Sequence, residues 1–156
     1  MSFLRFLMLL ALVVWLGGVI FFPVVASTAF SVLPTRHLAG SVVSRSLGTL
    51  HWMGIISGLV FLTASLLYSR FSTGSAHVFS ARHILLCLML ALTLVSQFAV
   101  TPQMAALRNS MGEIDAVAAN DPARIRFDQL HHWSTRLEGG VLLLGLVVVY
   151  LTAKSP

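Results

Sequence analysis

Long apolar runs alternate with short polar clusters along this chain. Residues 6–35, 46–69 and 83–107 carry no Asp, Glu, Lys or Arg, and 139–153 form a shorter fourth run. A bilayer core takes about 20 helical residues to cross. The first three runs clear that length unaided, and the fourth does so when its helix begins upstream, near residues 127–136. Lipid offers the backbone no hydrogen bonds, so each crossing must be an α-helix. The pattern predicts an all-α, integral membrane four-helix bundle in one domain, 1–156, with spans near 6–30, 48–69, 83–107 and 132–153.

Breakers and charges set the expected boundaries. Ser31 to Pro34 closes the first helix after a kink at Pro23, and Arg36 to Arg45 reads as a short connecting segment. Arg70 to Arg82 reads as a polar loop, with His77 and His83 in water or headgroups. After Pro102, apolar Met104, Leu107, Met111, Ile114 and Val117 recur at helical spacing among Arg108, Asn109, Glu113 and Asp115, so the third helix should project beyond the bilayer. Asn120-Asp121-Pro122 is a helix-start signal, with Asp capping and Pro at the first helical position. In the helix that follows, Phe127, Leu130, His131, Ser134, Leu137, Glu138 and Val141 share one face at i, i+3, i+4 spacing, directed at the bundle.

The two halves echo each other. Gly48-Thr49-Leu50-His51-Trp52 opens one apolar run and Asp128-Gln129-Leu130-His131-His132-Trp133 another, each with a proline (Pro23, Pro102) at nearly the same distance upstream. A doubled helical hairpin follows, with the two Leu-His pairs at equivalent depths. Gly54 and Gly58 form the small-xxx-small spacing that lets membrane helices approach closely.

Composition agrees: 57% of residues are apolar, 10% are charged, and the mean hydropathy is +0.90. A water-soluble domain of this size needs a mostly polar shell. The net charge of +5 reflects few ionisable groups rather than a nucleic-acid surface, since basic and aromatic residues are nowhere concentrated together. The expected partners are the lipid bilayer and a membrane protein or second copy of the chain, with no nucleic acid. Both termini share a side with Arg5, Arg70, Arg82 and Lys154, against six arginines on the other, which leans the long connections toward the cytoplasm of a bacterial inner membrane. The first run is too long and bulky for a cleaved leader, given Trp15, Phe21, Phe22 and Pro23. Cys87, alone in the third span, reads as a buried apolar thiol.

Candidate chemistry centres on His51 and His131. Two neutral imidazoles facing a shared cleft would suit haem b iron, or copper or zinc, with Met53 or Met104 as soft ligands for copper(I). The same residues beside Trp52 and Trp133 also suit hydrogen bonding across helices at the headgroup level, or a polar role in a transport path. Glu138 borders an apolar span, where an ionisable group costs about 2.5–3.5 kcal/mol at mid-membrane. It therefore needs a partner, among Arg45, Arg136 and His51, or a job as a proton or cation site. Ser96, Gln97, Thr101 and Gln103 read as groups that satisfy backbone near the Pro102 kink. With no phosphate loop, nucleophile elbow, His-Glu-x-x-His or paired carboxylates, the expectation is a protein without enzymatic activity.

Trp15-Leu16-Gly17-Gly18-Val19-Ile20-Phe21-Phe22, Phe30-Ser31-Val32-Leu33-Pro34, Ala39-Gly40, Val100-Thr101-Pro102 and Phe127-Asp128-Gln129-Leu130-His131 with Ser134 resemble the transmembrane protein 205-like family across nearly the whole chain. That resemblance implies a four-helix membrane protein without assigned chemistry, whose animal members are linked to tolerance of platinum drugs. Where the family pattern places Asn, this chain has Glu138. A fainter likeness runs to copper-resistance D-type proteins and four-helix membrane protoporphyrinogen oxidases, which use membrane histidines; the first helix here has none. Together these readings point to a small-solute or metal-handling protein with His51 and His131 at the inter-repeat cleft and Glu138 and Ser134 beside them. Haem- or metal-mediated redox chemistry and a structural or assembly subunit are the alternatives.

Overall fold

The computed structural model describes residues 2–73 and 80–154. Four apolar helical rods make up the described chain: α1 (Ser2–Val32), α2 (Arg36–Thr73), a third rod built from α3 (Ala81–Val95), a π-helical turn (Ser96–Val100) and α4 (Thr101–Met111), and α5 (Pro122–Lys154). Each is long and apolar enough to cross a bilayer. Large apolar side chains such as Val13, Ile20, Ile56, Leu59 and Leu143 face outward, where lipid is the natural solvent. This is a multi-pass integral membrane protein with an all-α four-helix bundle.

Local chemistry sets the ends of the rods. Pro34 stops α1, and the Thr35 hydroxyl accepts the Leu38 N–H at 3.2 Å, so α2 starts at once. The segment Arg36 to Arg45 is therefore helical rather than a connection; it carries charge but no proline. Helix α4 stops at Met111 because Gly112 takes φ +65°, so the amphipathic stretch to Val117 continues as an irregular turn with a short 3₁₀ piece at Ile114–Ala116. Asp121 caps α5, accepting the N–H groups of Ala123 at 2.8 Å and Arg124 at 3.4 Å. Asp121→Ala should cost about 1 kcal/mol, read as a lowered thermal midpoint of the detergent-solubilised protein.

The core is packed at one end and hollow at the other. Toward the chain termini, Met8, Leu12, Trp15, Phe61, Leu86, Met89 and Val148 interlock. The Trp15 indole is 2% exposed and lies in the groove left by Gly54 and Gly58: a Cβ built on Gly54 would fall 2.5 Å from its Nε1, and one on Gly58 3.0 Å from its Cζ3. Those glycines thus admit a ring rather than a neighbouring backbone. Gly18 lies under Leu50 and Met53, whereas Gly17 faces open space. At the opposite end a smaller cluster of Val100, Met104 and Leu130 closes only part of the bundle.

Two side chains sit elsewhere than the sequence suggests. His83 is buried, its Nδ1 2.8 Å from the Ser80 hydroxyl and its Nε2 2.7 Å from that of Ser65, because hydroxyls on either side supply what water would have supplied. His77 lies outside the described residues. Cys87 is exposed on the outer face of α3 rather than buried.

Candidate functional site

The histidine one turn before the Gly54–Gly58 groove is the most deeply buried ionisable group on α2. His51 is 1% exposed. Its Nδ1 lies 2.8 Å from Gln97 Oε1 and its Nε2 2.7 Å from Glu138 Oε1, so one imidazole ties α2 to the third rod and to α5. Of the partners available to Glu138, the fold selects His51 over Arg45 and Arg136.

Gln97 reaches the imidazole because it lies in the π-helical turn. There the Thr101 N–H bonds to the Ser96 carbonyl, a five-residue step that inserts an extra residue just before Pro102, which has no N–H to give. Gln103, by contrast, donates its amide to the Ala99 carbonyl at 2.8 Å, in the backbone-satisfying role the sequence suggests. Gln97 was legible only as a polar residue near a kink; its pairing with His51 depends on the extra residue in the turn.

The proton count of this chain is unusual. Both ring nitrogens face oxygens, yet a neutral imidazole carries a single N–H. Three arrangements satisfy the geometry. An imidazolium can donate to both Gln97 and a Glu138 carboxylate. Alternatively a neutral ring donates from Nδ1 to Gln97 while a protonated Glu138 donates to Nε2, or the Gln97 amide turns over and donates to Nδ1, leaving Nε2–H for the carboxylate. The first two forms carry no net charge and interconvert by moving one proton across 2.7 Å, while the third has one proton fewer and a net charge of −1, so the triad can hold a proton.

Glu138 borders a cavity of about 560 Å³ that occupies the hollow end of the bundle. Its walls come from the second half of α1, including Phe22, Pro23 and Phe30, the first turns of α2, α4 and the first half of α5. Apolar side chains predominate, interrupted by Arg36, Arg108, Arg124, Asp128, His131 and Glu138. This size and mixture suit a small-molecule site. Ser134 is buried at the wall, and Phe127, Leu137 and Glu138 are half-buried, so these members of the α5 stripe face inward.

His131 lines the same cavity but is exposed, its ring centroid 6.4 Å from that of His132. It stands two helical turns from Glu138, about 10 Å along α5. His51 spends both ring nitrogens on Gln97 and Glu138, so it presents no free nitrogen to a metal or haem iron. Among the described residues no group of three or more His, Cys, Asp or Glu side chains is placed to hold a metal ion.

Residues 10–113 match the family described as Domain of unknown function (DUF4149). The chain belongs to this family. No curated protein and no solved structure matches it. The DUF4149 match takes in His51, Gln97 and Arg108 but ends before α5, so Glu138, which completes the triad, lies beyond the matched residues.

Proposed function

We propose that this DUF4149 protein binds a small solute in its cavity and that the Gln97–His51–Glu138 chain holds or passes a proton as the solute comes and goes. One observation carries the reading: Glu138, facing a largely apolar cavity, is hydrogen-bonded to a buried imidazole whose two nitrogens both face oxygens. An ionisable group in a membrane bundle is retained against a cost of several kcal/mol, which favours a functional role. The proposed role is binding, with His131 and Ser134 among the polar groups on the cavity wall. The doubled-hairpin reading supports the same place, because Pro23 and the residues around Pro102 both border the cavity. The Phe127, Leu130, His131 and Ser134 pattern supports kinship with the transmembrane protein 205-like group. By the count of arginines the cavity faces the cytoplasm.

Gly139 lines the cavity, and a Cβ built there meets nothing within 4 Å, so Gly139→Phe starts a bulky side chain from an open position on the cavity wall. Small molecules extracted from purified wild-type protein should be absent from Gly139→Phe. A wild type that carries nothing, or a filled variant that carries the same complement, overturns the proposal.

A further inference from the structure

Arg108 is the most conspicuous unpaired charge at the cavity. It is 7% exposed, lines the cavity wall, and its Nε is buried without a hydrogen-bond partner. Ion pairs among the described residues join Arg36 to Asp115 and His51 to Glu138, and neither involves Arg108. What Arg108 does have is the Phe127 ring, 5.7 Å from its guanidinium carbon, and the bare backbone of Gly40, where a Cβ would come within 3.2 Å of Nε. Both contacts position the guanidinium; neither supplies an acceptor.

Arginine keeps its charge, and a buried charge without a counter-ion costs several kcal/mol. The other cavity arginines are differently employed. Arg36 Nη1 is 3.2 Å from Asp115, and Arg124 Nη1 donates to the Val117 carbonyl at 2.6 Å. Thr101 Oγ1, two turns from Arg108 on the same side of α4, also lines the cavity and is also buried without a partner. Acceptors inside the cavity would meet the unmet needs of these groups, and the walls around it are mostly hydrocarbon.

We propose that the solute is an anionic amphiphile, its carboxylate or phosphate head accepted by the Arg108 guanidinium and its apolar body lying against Val19, Phe22, Phe30 and Leu142. Arginine suits either head, because its planar fork binds carboxylate and phosphate oxygens in pairs. The inference rests on the solute-binding reading above and adds the chemical class. Bilayer phospholipid and free amphiphilic acid share this chemistry.

Decanoate, decyl phosphate, decanol and decyltrimethylammonium serve as probes, with full-length protein in phosphatidylcholine nanodiscs and binding followed by equilibrium dialysis. Decanoate and decyl phosphate should bind saturably, and decanol and decyltrimethylammonium at least about tenfold more weakly, the factor a charge-assisted hydrogen bond carries. Arg108→Gln should weaken decanoate by a similar factor while leaving decanol unchanged, and Arg108→Lys should retain part of the affinity. Phosphatidylglycerol added to the discs should displace decanoate if the natural occupant is a lipid, and leave it bound if the occupant is a free acid; either result sustains the class.

Equal binding of decanol or decyltrimethylammonium to wild-type protein overturns the inference without any variant. Undiminished decanoate binding by a folded Arg108→Gln does the same. If none of the probes binds but wild type still yields small molecules that Gly139→Phe lacks, the anionic class is wrong and the solute-binding reading stands. If neither is seen, both fall.

Discussion

Replacing His51 with alanine should lower the unfolding free energy by about 3–5 kcal/mol if the triad carries charge, because Glu138 is then left as an unpaired carboxylate beside apolar walls. Gln97 loses its partner as well. The informative measurement is a double-mutant cycle of His51→Ala and Glu138→Ala, followed by unfolding in mixed micelles. Hydrogen bonds between membrane helices couple by about 0.6 kcal/mol on average and at most about 1.7. A coupling above that range marks an imidazolium–carboxylate pair, and one within it marks a neutral imidazole, with the proton on Glu138 or with Nε2–H donated to the carboxylate. Glu138→Gln sharpens the choice, since it keeps a polar partner for Nε2 while removing the charge. Strict additivity of the two alanine substitutions would show that the 2.7 Å contact contributes nothing to the fold.

The second large effect is expected at the packed end. Gly54→Ala should destabilise by about 1–3 kcal/mol, although alanine is the better helix former, because its Cβ would fall 2.5 Å from Nε1 of an indole that is 2% exposed and has nowhere to go. The same change at Gly17, where nothing lies within 4 Å, should be neutral or stabilising by up to about 1 kcal/mol. Thermal midpoints of the two variants in one detergent give the comparison directly. Midpoints that move together would mean that the Trp15 groove does not govern stability.

Much of the bundle was legible because lipid imposes a simple rule: apolar helix must run for about 20 positions, which three charge-free runs do alone and the fourth does with the charged turns upstream of it. The α5 stripe was partly legible for the same reason that amphipathic helices are, since Ser134 and Glu138 recur at helical spacing among apolar residues, whereas His131 on the same stripe is exposed. Gln97 was not. Helical spacing assumes a constant step, and the π-helical turn shifts the register by one residue where Gln97 turns toward His51. The burial of His83 depends on Ser65, eighteen positions away on another helix, which no local pattern encodes. Pairing His51 with His131 by repeat position could not foresee that Gln97 and Glu138 take both nitrogens of the first ring. Arg108 looked like one charge on a solvent-facing slope, and only the turn from Gly112 to Pro122 and the bare backbone at Gly40 show it enclosed.

Pro23 and Pro102 fall where the interlocked end of the bundle gives way to open space. Pro23 leaves the Val19 carbonyl without its usual donor, and Val19 is at once the last buried α1 member of the large cluster and the first to border the void. The π-helical turn ends at Val100, where the smaller cluster begins. The backbone of the first and third rods is therefore weakest where side-chain packing ends, which is where bending either rod costs least.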